Sequence, residues 1–289
     1  MTAQAPIPSA EDRRRVVEFF DVAAADWDEA HGPRSARGHE FAARAHHLRA
    51  LCRRFDRPRV LELGCGTGQT LIHLADLVSA GIGLDISPVV VARAQQNAAR
   101  LSLRFLRFSV GDAENLTDRG EPFDPILLVG VLEHLPNPAM ALRHAARYLS
   151  ATGRLVVIMP HPWNPQVIAR ALLHRWRNPP SRHLSPMRLQ RLAVPQGLSL
   201  ASLSALPYSP WPRRFGLAYP TRPVEADESD AARWVRSLSA IGRGAFAAEF
   251  QRKASADALL GHQQRHSSTR RGGTVMSRIG LPKAPTAAR

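Results

Sequence analysis

The chain has 289 residues, 44% of them hydrophobic, so it can bury a full core as one large domain or as one domain with additions. It contains no apolar run of about 18 residues and no apolar leader within residues 1–15, so we expect a cytoplasmic protein without a transmembrane segment. The formal net charge of +15 would suit an anionic partner, but 37 of the 39 basic residues are arginine, a bias typical of GC-rich genomes, and we therefore expect no nucleic-acid partner.

The first 55 residues are predicted to form an N-terminal helical cap. Apolar spacing predicts one helix over Glu11–Trp27 and a second over Phe41–Phe55, with a Gly/Pro break at residues 31–37. Residues 1–10 are small and polar, which indicates disorder. Cys52 and Cys65 are the only cysteines, so the sequence predicts neither a disulfide nor a zinc site.

The central domain, residues 56–220, alternates strand and helix patterns, which is typical of a parallel sheet with helices on both faces. Short apolar runs predict strands at Arg59–Leu63, Ile82–Asp85, Leu103–Val110, Asp124–Val129, Gly153–Met159, Leu198–Leu206 and Arg214–Tyr219. Helical spacing predicts helices at Thr70–Val78, Pro88–Arg100, Pro138–Leu149, Val167–Trp176 and Pro186–Val194. We place Pro125 at the first residue of its strand, because a central strand needs its backbone N–H groups.

The pattern weakens after Pro220. Asp230–Phe250 is predicted to form one helix or two, and Gln251–Arg289 is small, polar and basic. We therefore expect residues 221–289 to be a helical extension followed by a disordered tail.

Three glycines, Gly64, Gly66 and Gly68, follow the first predicted strand on alternate positions and precede a helix. Glycine tolerates positive φ and close approach to a ligand, and a helix N-terminus attracts negative charge. A dinucleotide-binding fingerprint would need a third glycine where Gln69 or Leu71 stands. The spacing is instead Glu-x-Gly-x-Gly-x-Gly.

This run resembles the first motif of class I S-adenosylmethionine-dependent methyltransferases, and later features follow in the same order. A second strand ends in Asp85, Gly111-Asp112 follows the third strand, and Phe123–Glu133 supplies the fourth. The stretch Leu132-Glu133-His134-Leu135-Pro136 resembles the ubiquinone-pathway O-methyltransferases and the small-molecule group around them. The resemblance implies a Rossmann-like, doubly wound α/β fold with a seven-stranded, mostly parallel sheet and an antiparallel last strand.

The resemblance also implies S-adenosyl-L-methionine as the cofactor. The three glycines would hold its methionine end near Glu62, Asp85 would bind the ribose hydroxyls, and Asp112 would accept from the adenine amino group. Asp85 read as a helix cap and Asp112 read as a turn residue are the alternatives. The implied cofactor-binding residues are Glu62, Gly64, Cys65, Gly66, Gly68, Asp85, Ile86, Asp112, Ala113 and Gly130.

Two histidines are candidate catalytic bases, because an imidazole with a pKa of about 6.5 suits proton removal from an acceptor. His134 follows the fourth strand and His161 the fifth, so both lie at the same edge of the sheet. For each, the alternative is a loop histidine that is hydrogen-bonded to the backbone. We expect no metal, because Asp124 and Asn137 do not form a convincing magnesium cluster.

The sequence thus predicts transfer of a methyl group to a small molecule, most simply at a hydroxyl oxygen. Nucleobase amino-methylating enzymes carry an Asn/Asp-Pro-Pro-aromatic motif after strand four, where this chain has Gly130-Val131-Leu132. A methyltransferase of RNA or protein, or a cofactor-binding partner subunit without activity, remains as an alternative. The acceptor and the oligomeric state are left open by the sequence.

Overall fold

A computed structural model describes residues 10–24, 26–27, 36–116, 120–164, 167–168, 181, 184–207, 224–225 and 244–253. The helices of this part of the chain are α1 (Ala10–Ala23), α2 (Ala36–Cys52), α3 (Gln69–His73), α4 (Pro88–Arg100), α5 (Pro138–Tyr148) and α6 (Pro186–Ala193). A single 3₁₀ turn, Leu132–His134, follows the fourth strand.

The described strands form one sheet in the order β3-β2-β1-β4-β5-β8-β6-β7. Their bounds are β1 (Arg59–Leu63), β2 (Ala80–Asp85), β3 (Leu106–Val110), β4 (Phe123–Val129), β5 (Leu149–Pro160), β6 (Leu198–Pro207), β7 (Val224–Glu225) and β8 (Gly244–Arg252). The first five strands pair in parallel, and β8 pairs antiparallel with both β5 and β6. The carboxyl ends of β1, β2, β3, β4 and β5 therefore share one edge of the sheet.

The sheet lies between two layers of helices. Helices α5 and α6 pack on one face, and α2, α3 and α4 pack on the other. Val60 and Leu61 are neighbours in β1 that point to opposite faces, and both are fully buried. A continuous apolar run is therefore the pattern of a strand covered on both sides. The predicted doubly wound, mostly parallel sheet with an antiparallel last strand is confirmed.

Two serines begin helices as caps. The Ser87 hydroxyl accepts from the Val90 N–H at 3.0 Å, and Ser185 accepts from the Arg188 N–H at 3.3 Å. A proline follows each serine at the first helical position, where the missing N–H costs nothing. Ser87 fixes the turn between β2 and α4, which is the turn that carries Asp85.

Several sequence predictions need correction. Pro125 is the third residue of β4 rather than its first, and a register irregularity between Phe123 and Pro125 absorbs its missing donor. Helix α3 ends at His73, whereas the apolar spacing predicted a helix to residue 78. The strand predicted at residues 214–219 lies outside the described residues, as does most of the helix predicted at 167–176.

The largest correction concerns β8. Helix was predicted over residues 230–250, but residues 244–252 form a strand at the centre of the second half of the sheet. The predicted helical extension is therefore wrong over β8, which belongs to the core. The rest of the division into residues 1–55, 56–220 and 221–289 remains a prediction.

Strand β8 carries a buried acid, Glu249, which is 4% exposed. Its Oε2 accepts from the Arg54 guanidinium at 2.8 Å, and its Oε1 lies 3.5 Å from Nε2 of His47. Burial lowers the pKa of His47, while Glu249 acts in the opposite direction. Glu249 thus connects β8 to α2 and to the turn that follows it.

Within the described ranges, no helix has the length and apolar character needed to cross a membrane.

Replacing Glu249 with alanine should lower the free energy of unfolding by roughly 1.5–3 kcal/mol, because hydrogen bonds to charged groups contribute about that much. The control is Asp76→Ala, which removes an exposed pair whose two hydrogen bonds to Arg49 are each 2.6 Å long. An exposed pair is worth less than about 1 kcal/mol. Urea denaturation of both variants measures the difference, and equal losses would contradict the prediction.

Candidate cofactor site and acceptor edge

The glycine loop connects β1 to α3 along the chain and is hydrogen-bonded to the end of β2. Gly64, Gly66 and Gly68 all have positive φ, at 75°, 53° and 81°. The backbone N–H groups of Gly64 and Cys65 donate to the carbonyl oxygen of Leu84 at 2.7 and 2.9 Å. The loop is therefore held in a left-handed path against the neighbouring strand, and side chains with a Cβ adopt that path poorly.

Two of the three glycines also touch neighbouring side chains. A Cβ at Gly64 would lie 1.9 Å from Cγ2 of Val131, and one at Gly68 would lie 2.8 Å from Cζ of Phe108. A Cβ at Gly66 would meet nothing within 4 Å. Gly64 and Gly68 are thus required by packing as well as by φ, whereas Gly66 faces open space.

Asp85 holds the loop from the end of β2. Its Oδ2 accepts from the Gly66 N–H at 3.0 Å, and its Oδ1 accepts from the Ser87 N–H at 3.1 Å. Burial raises the pKa of Asp85, and these backbone donors oppose that rise. The backbone N–H of Ile86 also donates to this carboxylate. A carboxylate has about four acceptor positions, so about one remains for a further donor such as a ribose hydroxyl. The predicted ribose contact is compatible with this geometry.

Glu62 is a buried carboxyl at the end of β1. It is 1% exposed, and burial raises its pKa to about 8 although the Thr70 side chain hydrogen-bonds to it. Its Oε2 has no hydrogen-bond partner within the described structure. Glu62 lines a cavity of about 90 Å³ that also borders Gly64, Trp27 and Arg44. An orphaned acceptor beside the glycine loop fits an ammonium group, which is the group that the cofactor's methionine end would supply.

Asp112 follows β3 and is bound by a residue of the N-terminal helix as well as by its own loop. Its Oδ1 accepts from the Glu114 N–H at 2.9 Å, and its Oδ2 pairs with the guanidinium of Arg13 in α1. Arg13 also pairs with the Glu114 carboxylate. Arg13 was not predicted as a site residue, because it stands 99 residues from Asp112 and no local pattern connects them.

His134 lies under aromatic side chains of the N-terminal segment. The Phe20 ring contacts His134 edge-on at 5.5 Å between centroids, and Trp27 contacts Phe20 at 5.7 Å. Trp27 also borders the cavity beside Glu62. Glu133, 4% exposed, has an Oε2 without a hydrogen-bond partner among the residues described. The predicted cap segment therefore covers the strand-end edge next to the glycine loop.

His161 directly follows β5 and is buried, unlike an exposed loop histidine. It is 2% exposed, and burial lowers its pKa. Its Nδ1 accepts from the Trp163 N–H at 3.3 Å, which places the proton of the neutral ring on Nε2. That Nε2 has no partner within the described ranges. Trp163 itself is 61% exposed, so it does not pack in the core.

The structure thus brings the predicted residues of β1, β2 and their loops into direct contact. Gly111, the neighbour of Asp112, donates its N–H to the backbone carbonyl of Asp85 at 2.9 Å. The two histidines follow the adjacent strands β4 and β5. Cys52 and Cys65 are free, buried thiols. In the part of the chain that the structure covers, no cluster of three or more His, Cys, Asp or Glu side chains forms a metal-binding arrangement.

The sheet order and the glycine loop at its strand-end edge match the Rossmann-like fold of class I methyltransferases. The methyltransferase domain family matches residues 35–195, more than half of the chain, and the protein belongs to that family. Its cofactor is S-adenosyl-L-methionine. The resemblance drawn from the sequence is therefore confirmed at the level of family, fold and cofactor.

Individual relatives are more distant. The chain is 27% identical over 236 residues to a ubiquinone biosynthesis O-methyltransferase of Azorhizobium caulinodans, covering 73% of this chain and 88% of the relative. It is 28% identical to ajmaline N-methyltransferase of Rauvolfia serpentina, covering 61% of this chain and 64% of the relative. The fold resembles magnesium protoporphyrin IX methyltransferase of Synechocystis with bound SAH, with a TM-score of 0.58, 17% identity and coverage of 84% and 100%.

The packing at Gly64 gives a test that needs no ligand. Gly64→Ala should destabilise the fold by more than Gly66→Ala, because both positions have positive φ but only Gly64 lies against a neighbouring side chain. The left-handed backbone alone costs roughly 1–2 kcal/mol, and the clash with Val131 adds to it. Denaturant unfolding of the two variants gives the comparison. The prediction fails if Gly66→Ala is the more damaging change.

Burial of Glu62 predicts a pH-dependent stability. Its ordinary pKa of 4.5 rises to about 8 in the folded chain, so the native state keeps a proton that the unfolded chain releases between these values. The stabilisation is complete below the unfolded pKa and is lost as the pH rises through about 8. We expect the free energy of unfolding of wild type, relative to Glu62→Gln, to fall as the pH rises over that window. A difference that does not vary with pH would show that Glu62 keeps an ordinary pKa.

Proposed function

We propose that the protein transfers a methyl group from S-adenosyl-L-methionine to a small molecule, at a hydroxyl oxygen. The observation that carries this proposal is the aromatic contact of Phe20 with His134 beside the glycine loop. Phe20, Trp27 and His134 together form an aromatic wall. Such a surface suits an apolar or aromatic acceptor better than a long polymer. The curated relatives named as O-methyltransferases of ubiquinone biosynthesis support the same acceptor class.

In this proposal residues at the carboxyl ends of β1, β2 and β3 would hold the cofactor. Glu62 would bind its ammonium group, Asp85 its ribose hydroxyls and Asp112 its adenine amino group. The glycine loop and the remaining backbone positions line the path between them. These further lining residues are Gly64, Cys65, Gly66, Gly68, Ile86, Ala113 and Gly130.

The bound cofactor supplies an electrophilic methyl group, and the chain's own residues orient the acceptor and remove its proton. We propose His134 as the base, because it lies under the aromatic wall near the end of β4. His161 is the second candidate from the sequence. Its engaged Nδ1 and its protonated Nε2 make it a better hydrogen-bond donor than a base while the ring is neutral.

Calorimetric binding of S-adenosyl-L-methionine separates cofactor binding by Asp85 from proton removal by His134. Asp85→Ala should weaken binding roughly 10- to 100-fold, because a hydrogen bond to a charged acceptor, worth about 1.5–3 kcal/mol, is lost. His134→Gln should bind the cofactor as wild type does, yet lower methylation of a hydroxylated aromatic acceptor roughly 100-fold or more. Mass spectrometry of the product, over a panel of phenols and matched amines, identifies the methylated atom.

Each result has a clear consequence. No binding by a folded wild-type sample would exclude the proposed enzyme. Cofactor binding without methylation of any acceptor would favour a cofactor-binding subunit without activity. Cofactor binding together with methylation of RNA, at an affinity that falls steeply with salt, would favour a nucleic-acid substrate instead. Loss of cofactor binding in His134→Gln would move that residue from the acceptor site to the cofactor site.

A further inference from the structure

Arg13 of α1 spans two acidic side chains of the loop that follows β3. Its Nη1 pairs with Oδ2 of Asp112, and its Nη2 pairs with Oε2 of Glu114. The side chain of Glu114 is 8% exposed and that of Asp112 is 25% exposed. The guanidinium fork thus holds two carboxylates that would otherwise repel each other in a partly dry site.

Glu114 extends this contact to the loop that carries His134. Its Oε1 accepts from the backbone N–H of Asn137, the residue that directly precedes α5. Burial is the main cause that raises the pKa of Glu114, while the Asn137 N–H and the charge of Arg13 oppose it. A chain of hydrogen bonds therefore runs from α1 through the loop after β3 to the loop after β4.

Helix α1 meets the strand-end edge at two further points. Asp21 accepts from the Ser87 hydroxyl beside Asp85, and Phe20 packs on His134. One face of α1 thus contacts the loops after β2, β3 and β4. Of these contacts, the one made by Arg13 reaches the residue that is assigned to the adenine end of the cofactor.

We propose that Arg13 is a positioning residue, which couples the docking of α1 to cofactor binding and to the placement of the His134 loop. This inference rests on the proposed function, since it takes Asp112 as the acceptor for the adenine amino group. Arg13 fixes the Asp112 carboxylate through one oxygen, and lone pairs remain on the carboxylate for the adenine. By linkage, the cofactor then stabilises the docked α1 by the same factor by which docked α1 raises cofactor affinity.

The chain offers a matched control in Arg14. This neighbour carries the same charge on the same helix, but it pairs at 3.6 Å with Glu18, one turn along α1, and its side chain is 71% exposed. Arg13→Ala and Arg14→Ala therefore change net charge and helix composition equally. The difference between them isolates the contact with Asp112 and Glu114.

The test measures S-adenosyl-L-methionine affinity by calorimetry, and hydrogen exchange of residues 10–23 and 130–137 with and without that cofactor. Wild type and Arg14→Ala should bind equally and should protect both segments when the cofactor is added. Arg13→Ala should bind about tenfold more weakly, within the range of typical coupling energies, and should lose the added protection. Arg13→Lys should recover only part of the affinity. It keeps the positive charge, but an ammonium group cannot form the two parallel bonds of a guanidinium.

Glu114→Gln keeps α1 unchanged and tests the same link from the other side. Its effect should not add to that of Arg13→Ala in the double variant, because both remove one network. Additive effects, wild-type affinity in Arg13→Ala or tighter binding by that variant would each overturn the proposal. A folded wild type that binds no cofactor would refute the proposed function first, and the role of Arg13 would fall with it.

Discussion

The left-handed backbone of Gly64, placed against Val131, determines how the carboxyl ends of β1 and β4 approach each other. No side chain fits between them, since a Cβ at Gly64 would lie 1.9 Å from Cγ2 of Val131. The same residue donates its N–H to Leu84 at the end of β2. Gly64 therefore links the ends of β1, β2 and β4, and only glycine fits at this position.

Those strand ends concentrate acidic groups in a partly dry environment, which is costly without cations or donors. The acidic group at each strand end is stabilised in a different way. Backbone N–H groups bind Asp85, the guanidinium of Arg13 binds Asp112, and Glu62 holds a proton near neutrality because burial raises its pKa to about 8. A ligand with a cationic end and several hydroxyl and amino donors would complement this edge, and the contacts that we propose for S-adenosyl-L-methionine are of this kind.

The sequence predicted the first five strands, the glycine loop and Asp85, because each of these depends on local pattern. Strand β8 was predicted as helix because its alanines and Glu249 favour helix locally, while pairing with β5 and β6 overrides that preference. Arg13 escaped prediction for a related reason, since its partners lie about a hundred residues away. Local chemistry was therefore predictable, whereas contacts made by chain topology were not.

The place of β8 in the sheet has a consequence for how the protein is made. Strands β5 and β6 do not pair with each other, because β8 lies between them and is the last described strand to be synthesised. A nascent chain that has not reached residue 252 carries two apolar strand edges without their partner, which is a condition that favours aggregation. Completion of this sheet therefore depends on residues 244–252, which are synthesised after every other strand that the structure describes.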